Sequence, residues 1–378
     1  MKKNDKALFN ACNKIDIPLT IAVTCLVLFG VIMVYSASSY NASVNYGNEY
    51  YYAIKQLIGV LIGSIAMMAL SFIDYHKLIK YRYLILAVSY VLLLLVFVPG
   101  VGVENYGAKR WINLPFFTLQ ASEIAKFAFI VYTASYMAKN YQKMNKFSTL
   151  IPPLVIGGIM CLLIILEPNM SITMCVGLLM FTMLFVGGAK IKHFIFLALP
   201  VIALVPILII IEPYRLQRLF AFINPWENPL DEGYQLIQSF YAISSGGLFG
   251  VGLFNSRQKY LFLPFSESDF IFAVIAEEFG FVGVLLVTSV YCFVIFRAIK
   301  IAKNASDRFG CYLSSGIAGI IAIQVLINVA VVSGSIPPTG LPLPFISAGT
   351  SSLVVFCASV GILNSVKRLS HKSIKRFV

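Results

Sequence analysis

The chain has 378 residues, of which 59% are hydrophobic and only 12% charged, with a mean hydropathy of +0.85 and a formal net charge of +13. A soluble globule carries about 25% charged residues. The composition therefore excludes a soluble enzyme, a nucleic-acid-binding domain or a disordered tail as a reading of the whole, and predicts an all-α, polytopic membrane protein.

A helix that crosses a bilayer needs about 20 mostly apolar residues. The chain supplies ten such runs, at roughly 17–36, 56–73, 83–99, 121–138, 150–167, 170–188, 194–212, 270–296, 310–334 and 350–366. They are read as ten transmembrane helices in one domain spanning 1–378. The polar start MKKNDKALFNACNKID precedes a long apolar run, which predicts a retained first span rather than a cleaved signal peptide. Twenty-one of the 29 Lys and Arg residues fall on one set of ends and loops, and eight on the other side and its span edges. Because cytoplasmic loops are rich in Lys and Arg, both termini are expected in the cytoplasm. All three histidines fall on that side, and no cysteine falls in an outer loop. Chemistry on the outer face must then work without histidine, and no outer disulfide framework is indicated.

Three outer segments stand out. The first, about 100–122, reads GVGVENYGAKRWINLPFFTLQAS. The second, about 213–269 between spans 7 and 8, is the large extracellular loop; its GYQLIQSFYAI stretch predicts an amphipathic helix at the interface. The third, SGSIPPTGLPLPFISAGTSS between spans 9 and 10, carries too many prolines to continue a helix. Irregular backbone at membrane depth must be packed in protein or line a watery cavity, so this segment is expected to form the wall of a site. Trp111 and Trp226 sit on the same side, as interfacial anchors or site residues.

Ionisable residues at span ends or inside spans are Glu123, Lys126, Glu167, Asp269, Glu277 and Glu278. Such groups are costly in a membrane and default to functional candidates. Glu123 and Lys126, spaced i, i+3, share a helix face and equally suit a buried ion pair. On the outer side lie Lys109, Arg110, Arg215, Arg218, Arg257 and Lys259. Arg grips phosphate oxygens with two parallel hydrogen bonds, and Lys adds a point charge. With no histidine, a carboxylate is the natural proton acceptor for an alcohol, and Asp269 stands at the mouth of a span. These are the parts an inverting transferase acting on a lipid-diphosphate sugar needs. Ordinary juxtamembrane charge is the competing reading.

Four segments carry a family resemblance. YGAKRWINLPFFTLQASEIAK, EPNMS, the long loop from NPWENP through SRQK to PFSESDF, and IPPTGLPLPFISAGTSSL together resemble the SEDS family (FtsW/RodA/SpoVE), closest to FtsW and SpoVE. The resemblance implies a ten-span protein of the bacterial cytoplasmic membrane. It implies a peptidoglycan glycosyltransferase that polymerises lipid II into β-1,4 glycan on the outer face, for division or sporulation. It aligns the family's essential loop aspartate with Asp269, its loop arginine with Arg110, and its Glu–Lys pair with Glu123 and Lys126. It also implies a class B penicillin-binding protein as transpeptidase partner and a divalent cation, Mg²⁺ or Mn²⁺, as support. Departures from the family pattern are Ala121, Asn169, Phe265, Ser268, Ala348 and Thr350. Two rival readings are a lipid II flippase and a non-catalytic scaffold for the transpeptidase.

Overall fold

A computed structural model describes residues 15–370, apart from 106–107, 114–117, 198, 200–205, 207–209, 211–212 and 232; for 104, 105, 108 and 213–215 it describes the backbone alone. Eleven helices are defined among the described residues: α1 (Ile17–Tyr46), α2 (Tyr51–Phe72), α3 (Lys77–Leu95), α4 (Ala121–Asn140), α5 (Phe147–Leu166), α6 (Met170–Val186), α7 (Pro213–Ile223), α8 (Tyr234–Gly246), α9 (Ile271–Lys303), α10 (Arg308–Val332) and α11 (Thr350–Leu369). Seven of them, α1, α2, α3, α5, α9, α10 and α11, are long and apolar enough to cross a membrane. Helix α6 is apolar but has 17 residues. Helix α4 has the length but carries Glu123, Lys126 and Lys139, and most of its side chains are buried against neighbouring helices. The expected span at 194–212 falls largely outside the described residues.

The segment after α3 departs from an all-helical reading. It forms a three-stranded antiparallel sheet, β1 (Gly102–Asn105), β2 (Ala108–Asn113) and β3 (Thr118–Gln120), in which Trp111 of β2 pairs with Val103 on one side and Gln120 on the other. Strand pairing satisfies the backbone of a connection that has no helix to do so.

The helices approach where side chains are smallest. A Cβ on Gly59 or Gly63 of α2 would lie 3.1–3.2 Å from Thr350 or Cys357 of α11, and one on Gly361 of α11 would lie 2.5 Å from the Met67 carbonyl. Small residues permit this spacing, and in lipid such packing holds helices together. At the end remote from Asp269, Asp16 caps α1 and pairs with Arg297 of α9 at 2.6 Å, while its N–H donates to Asn364 of α11.

Helix α9 is broken. Gly280 has φ +64, and the chain crosses it beside Leu248 and Gly250. The broken turn frees the Glu277 and Glu278 carbonyls, which accept from Val251 and Gly252 N–H at 2.9 and 3.0 Å. It also frees the Phe281 and Val282 N–H groups, which donate to Gly247 and Leu248 carbonyls at 2.9 and 3.1 Å. These four groups are bonded by the glycine-rich turn after α8, as irregular backbone at this depth requires. A continuous run at 270–296 gave no sign of the break.

The proline-rich segment 333–349 is irregular and turns inward from 341, with Leu341, Leu343, Phe345 and Ile346 in the core. Its carbonyls accept from side chains of three helices: Gln56 of α2 to Ser347 at 3.2 Å, Tyr291 of α9 to Pro344, and Gln324 of α10 to Pro342 at 3.3 Å. This is the packed wall expected from its prolines.

Candidate active site

Asp269 lies two residues before α9, partly exposed at the end of the bundle that carries the sheet. Asn328 of α10 fixes its backbone, donating to the Asp269 and Leu341 carbonyls, both at 2.8 Å. The neighbouring backbone is tied to the wall, with Ser347 hydroxyl donating to the Ser268 carbonyl at 2.6 Å and Ala348 N–H to the Glu267 carbonyl at 2.9 Å. Across from the carboxylate is Gly340, whose N–H donates to the Ser171 hydroxyl of α6 at 3.1 Å. One short stretch is thus positioned by α6, α10 and the irregular wall together.

Two guanidinium groups act on this carboxylate. Arg218 of α7 donates to the Pro338 carbonyl of the wall at 3.2 Å. Arg110 of β2 reaches the turn between α5 and α6, donating from Nε to the Glu167 carbonyl at 3.3 Å and from its terminal nitrogen to the Pro168 carbonyl. Withdrawal from water raises the Asp269 carboxyl to about 7; Arg218 and Arg110 oppose that rise, and Glu267 adds to it. A proton acceptor poised near neutral pH is what base catalysis needs. Glu167, buried at the same turn, is raised by burial to about 8 against the field of Arg110.

The other predicted site residues take different places. Glu123 and Lys126 are fully buried and bonded to each other at 2.8 Å. Lys126 also donates to Gln324 at 3.0 Å, and Ser352 donates to Glu123 at 3.2 Å, so the pair joins α4, α10 and α11. Lys259 was expected beside Asp269 but is buried elsewhere. Its ammonium donates to the Phe254 carbonyl at 2.6 Å and pairs with Glu278 at 3.4 Å. Burial forces a cation into such internal pairing. Arg257 is exposed; its backbone N–H donates to Glu277 at 2.9 Å. Glu277 also accepts from Ser256, so both acids of α9 hold the loop above the kink. Lys109 is exposed on β2. Arg215 falls in α7, with its side chain outside the described residues. Glu267 is buried and accepts hydrogen bonds from Asn41 and Ser266.

Sequence reading missed Gly340, Asn328 and Ser171, which align and confine Asp269 without being charged. Two of the departures are accommodated by hydrogen bonds: Asn169 caps α6, accepting from Ile172 N–H at 3.3 Å, a position where Asn serves as well as Asp. Thr350 donates to the Lys55 carbonyl at 3.3 Å.

No three His, Cys, Asp or Glu side chains gather as a cation cage among the described residues. No chemical step is derived through a metal.

The family model of the FtsW/RodA/SpoVE cell cycle proteins matches residues 17–372. Stage V sporulation protein E of Bacillus subtilis is 40% identical over 357 residues, covering 94% of this chain and 97% of the relative. A probable peptidoglycan glycosyltransferase FtsW of Geobacter sp. (strain M18) is 38% identical over 349 residues, covering 92% and 94%. Among solved structures, a chain of a peptidoglycan synthase complex that coordinates polymerization and crosslinking superposes with a TM-score of 0.79 at 27% identity, covering 95% of this chain and 99% of that one. The rod shape determining protein RodA of Thermus thermophilus superposes with a TM-score of 0.69 at 25% identity, covering 94% and 98%. Apolar helices, the broken α9, the proline-rich wall and the matched motifs agree: the chain belongs to the FtsW/RodA/SpoVE family and is a multi-pass protein of the cytoplasmic membrane that serves cell-wall synthesis.

Proposed function

We propose that this protein is an inverting peptidoglycan glycosyltransferase that polymerises lipid II, the undecaprenyl-diphosphate disaccharide pentapeptide. The observation that carries the reading is the Asp269 carboxylate set against the wall at Gly340, with the guanidinium groups of Arg218 and Arg110 near enough for their charge to act on it. The 4-hydroxyl of an acceptor GlcNAc attacks the anomeric carbon of a donor MurNAc. Asp269 accepts the hydroxyl proton as the new bond forms. The bond to undecaprenyl diphosphate breaks on the opposite face, so an α-linked donor becomes a β-1,4 glycan. Arg110 and Arg218 stabilise charge on the departing diphosphate, each already oriented by a backbone carbonyl. Glu123 and Lys126 act at a distance, by holding α4 and α11 in place.

In this reading the Asp269 end faces outward and both termini are cytoplasmic, the orientation that the basic residues favour. A class B penicillin-binding protein crosslinks the product. Mg²⁺ or Mn²⁺ support, expected from the family, would rest on substrate diphosphate oxygens and water, in keeping with the few protein ligands Mg²⁺ uses in phosphate sites.

The test is purified protein given labelled lipid II in liposomes. Glycan polymer, abolished by Asp269→Asn, supports the reading. Movement of lipid II between leaflets without polymer makes the protein a flippase. Neither activity, with transpeptidase binding retained, makes it a scaffold.

A further inference from the structure

Beside the site stands a group of tyrosines with no part in the chemistry above. Helix α1 has 30 residues, or about 45 Å at 1.5 Å per residue. Its start is marked by the charged Asp16–Arg297 pair, and a hydrocarbon core of about 30 Å uses some 20 residues from there. The last ten residues of α1, from Ala37 to Tyr46, therefore rise beyond the hydrocarbon core at the Asp269 end. Their sequence, ASSYNASVNY, is rich in Ser and Asn, unlike a lipid-facing helix.

On this projecting end the rings are ordered against one another. Tyr46 stacks on Tyr51 with centroids 3.9 Å apart, and Tyr50 stacks on Tyr35 at 5.5 Å. Tyr40 meets Tyr260, from the loop before Asp269, edge to face at 5.0 Å. Tyr40, Tyr46, Tyr50 and Tyr260 remain 41–51% exposed. The face adjoins the site: Asn41, next to Tyr40, hydrogen-bonds Glu267, and Ser266 donates to the Ala37 carbonyl at 3.2 Å. At 1.5 Å per residue Tyr40 is about 6 Å past the hydrocarbon edge, at headgroup level, whereas Tyr46, about 15 Å past it, stands beyond an aromatic belt.

We propose that this tyrosine face is a docking surface for the glycan product, a β-1,4-linked aminosugar chain, and that it keeps the growing strand beside Asp269. The negative face of an aromatic ring attracts the weakly positive C–H faces of a pyranose. The exposed Asn45 amide, which donates one hydrogen bond to Asn41 Oδ1, has a second N–H and its own oxygen for hydroxyl and acetamido groups. The face is aromatic and amide-bearing, with the Lys55 ammonium 4.1 Å from the Tyr51 ring centroid, a set that suits an aminosugar chain bearing lactyl carboxylates. The inference rests on the glycosyltransferase reading for the source of the strand, not for the binding itself.

The experiment uses full-length protein in nanodiscs and a lipid-free β-1,4-linked GlcNAc–MurNAc oligosaccharide as probe, with binding read by saturation-transfer NMR on the sugar C–H protons. Tyr40→Leu/Tyr260→Leu keeps apolar bulk and removes the rings; Tyr40→Phe/Tyr260→Phe keeps the rings. We expect the Leu variant to bind at least tenfold more weakly and the Phe variant to match wild type. With lipid II, the Leu variant should yield strands several-fold shorter while still consuming substrate. Wild-type oligosaccharide affinity and strand length in the Leu variant would overturn the proposal, as would equal failure of Leu and Phe. Oligosaccharide binding without any polymer from wild type would instead sink the enzyme reading and leave the surface standing.

Discussion

A Cβ built on Gly340 would lie 3.2 Å from Oδ2 of Asp269, so the carboxylate rests against backbone that leaves no room for a methyl group. Gly340→Ala must push the carboxylate aside by a few tenths of an ångström. Misplacing a catalytic group by about 1 Å can cost roughly a hundredfold in rate, so this smaller shift is expected to lower turnover about tenfold. The melting temperature should hardly move, because the neighbour is a side chain at a partly exposed mouth. Polymerisation rates of matched, folded samples check this; an unchanged rate would mean the wall does not set the position of Asp269.

The raised carboxyl of Asp269 predicts a pH profile. Below about 7 it is protonated and cannot accept a proton, so kcat/KM should fall on the acid side with a midpoint near 7. The same shift makes a stability statement. The folded value lies above the usual 3.8, so ionisation opposes folding, and stability is lost as pH rises from about 4 to about 7. Asp269→Asn should therefore make no glycan, yet melt at or above the wild-type temperature at pH 8, with the gap closing towards pH 4. A helix-capping role for Asp269 predicts the reverse: lower stability with normal turnover per folded molecule.

Arg110 is aimed by the Glu167 and Pro168 carbonyls, which fixes the plane of its guanidinium. Arg110→Lys keeps the charge and loses the fork. Removing one preorganised donor costs about 3 kcal/mol, roughly a hundredfold in rate, and Lys109→Ala on the exposed neighbouring position should cost far less. Full turnover by Arg110→Lys would show that charge alone suffices.

Lys126→Met strands a fully buried Glu123 with, among the described residues, Ser352 as its remaining side-chain partner. Breaking one half of a buried ion pair costs about 3–5 kcal/mol, so thermal stability in detergent should drop sharply. The double variant Glu123→Gln/Lys126→Met should recover part of the loss. If both single and double variants melted like wild type but bound lipid II poorly, the pair would belong to substrate binding instead.

Orientation has its own check. A tag after Val378 should be cytoplasmic, and a cysteine at Asn228, which is exposed in the loop after α7, should react with an impermeant reagent from outside intact cells. Labelling only after lysis would turn the bundle over.

By itself the sequence determined the class of the protein and most of its helices, and it singled out Asp269 as a candidate. Apolar runs are read directly because lipid leaves a backbone few options besides helix. The prolines of 333–349 announced an irregular wall for the same reason, and Asp269 stood out as an acid at a span mouth. The tertiary structure alone decided which charges share a space. Lys259 is ten residues from Asp269 in sequence, yet it turns inward to Glu278, because the kink at Gly280 folds the loop back onto α9. Arg218 and Arg110, distant in sequence, both come near enough for their charge to act on Asp269, Arg218 held by the Pro338 carbonyl of the wall and Arg110 by the turn between α5 and α6. Glu123 and Lys126 have the spacing of a surface pair and the burial of a core one. Spacing along a chain fixes which face a residue shares with its near neighbours, but burial depends on what packs against that face, and that is settled only when distant segments come together.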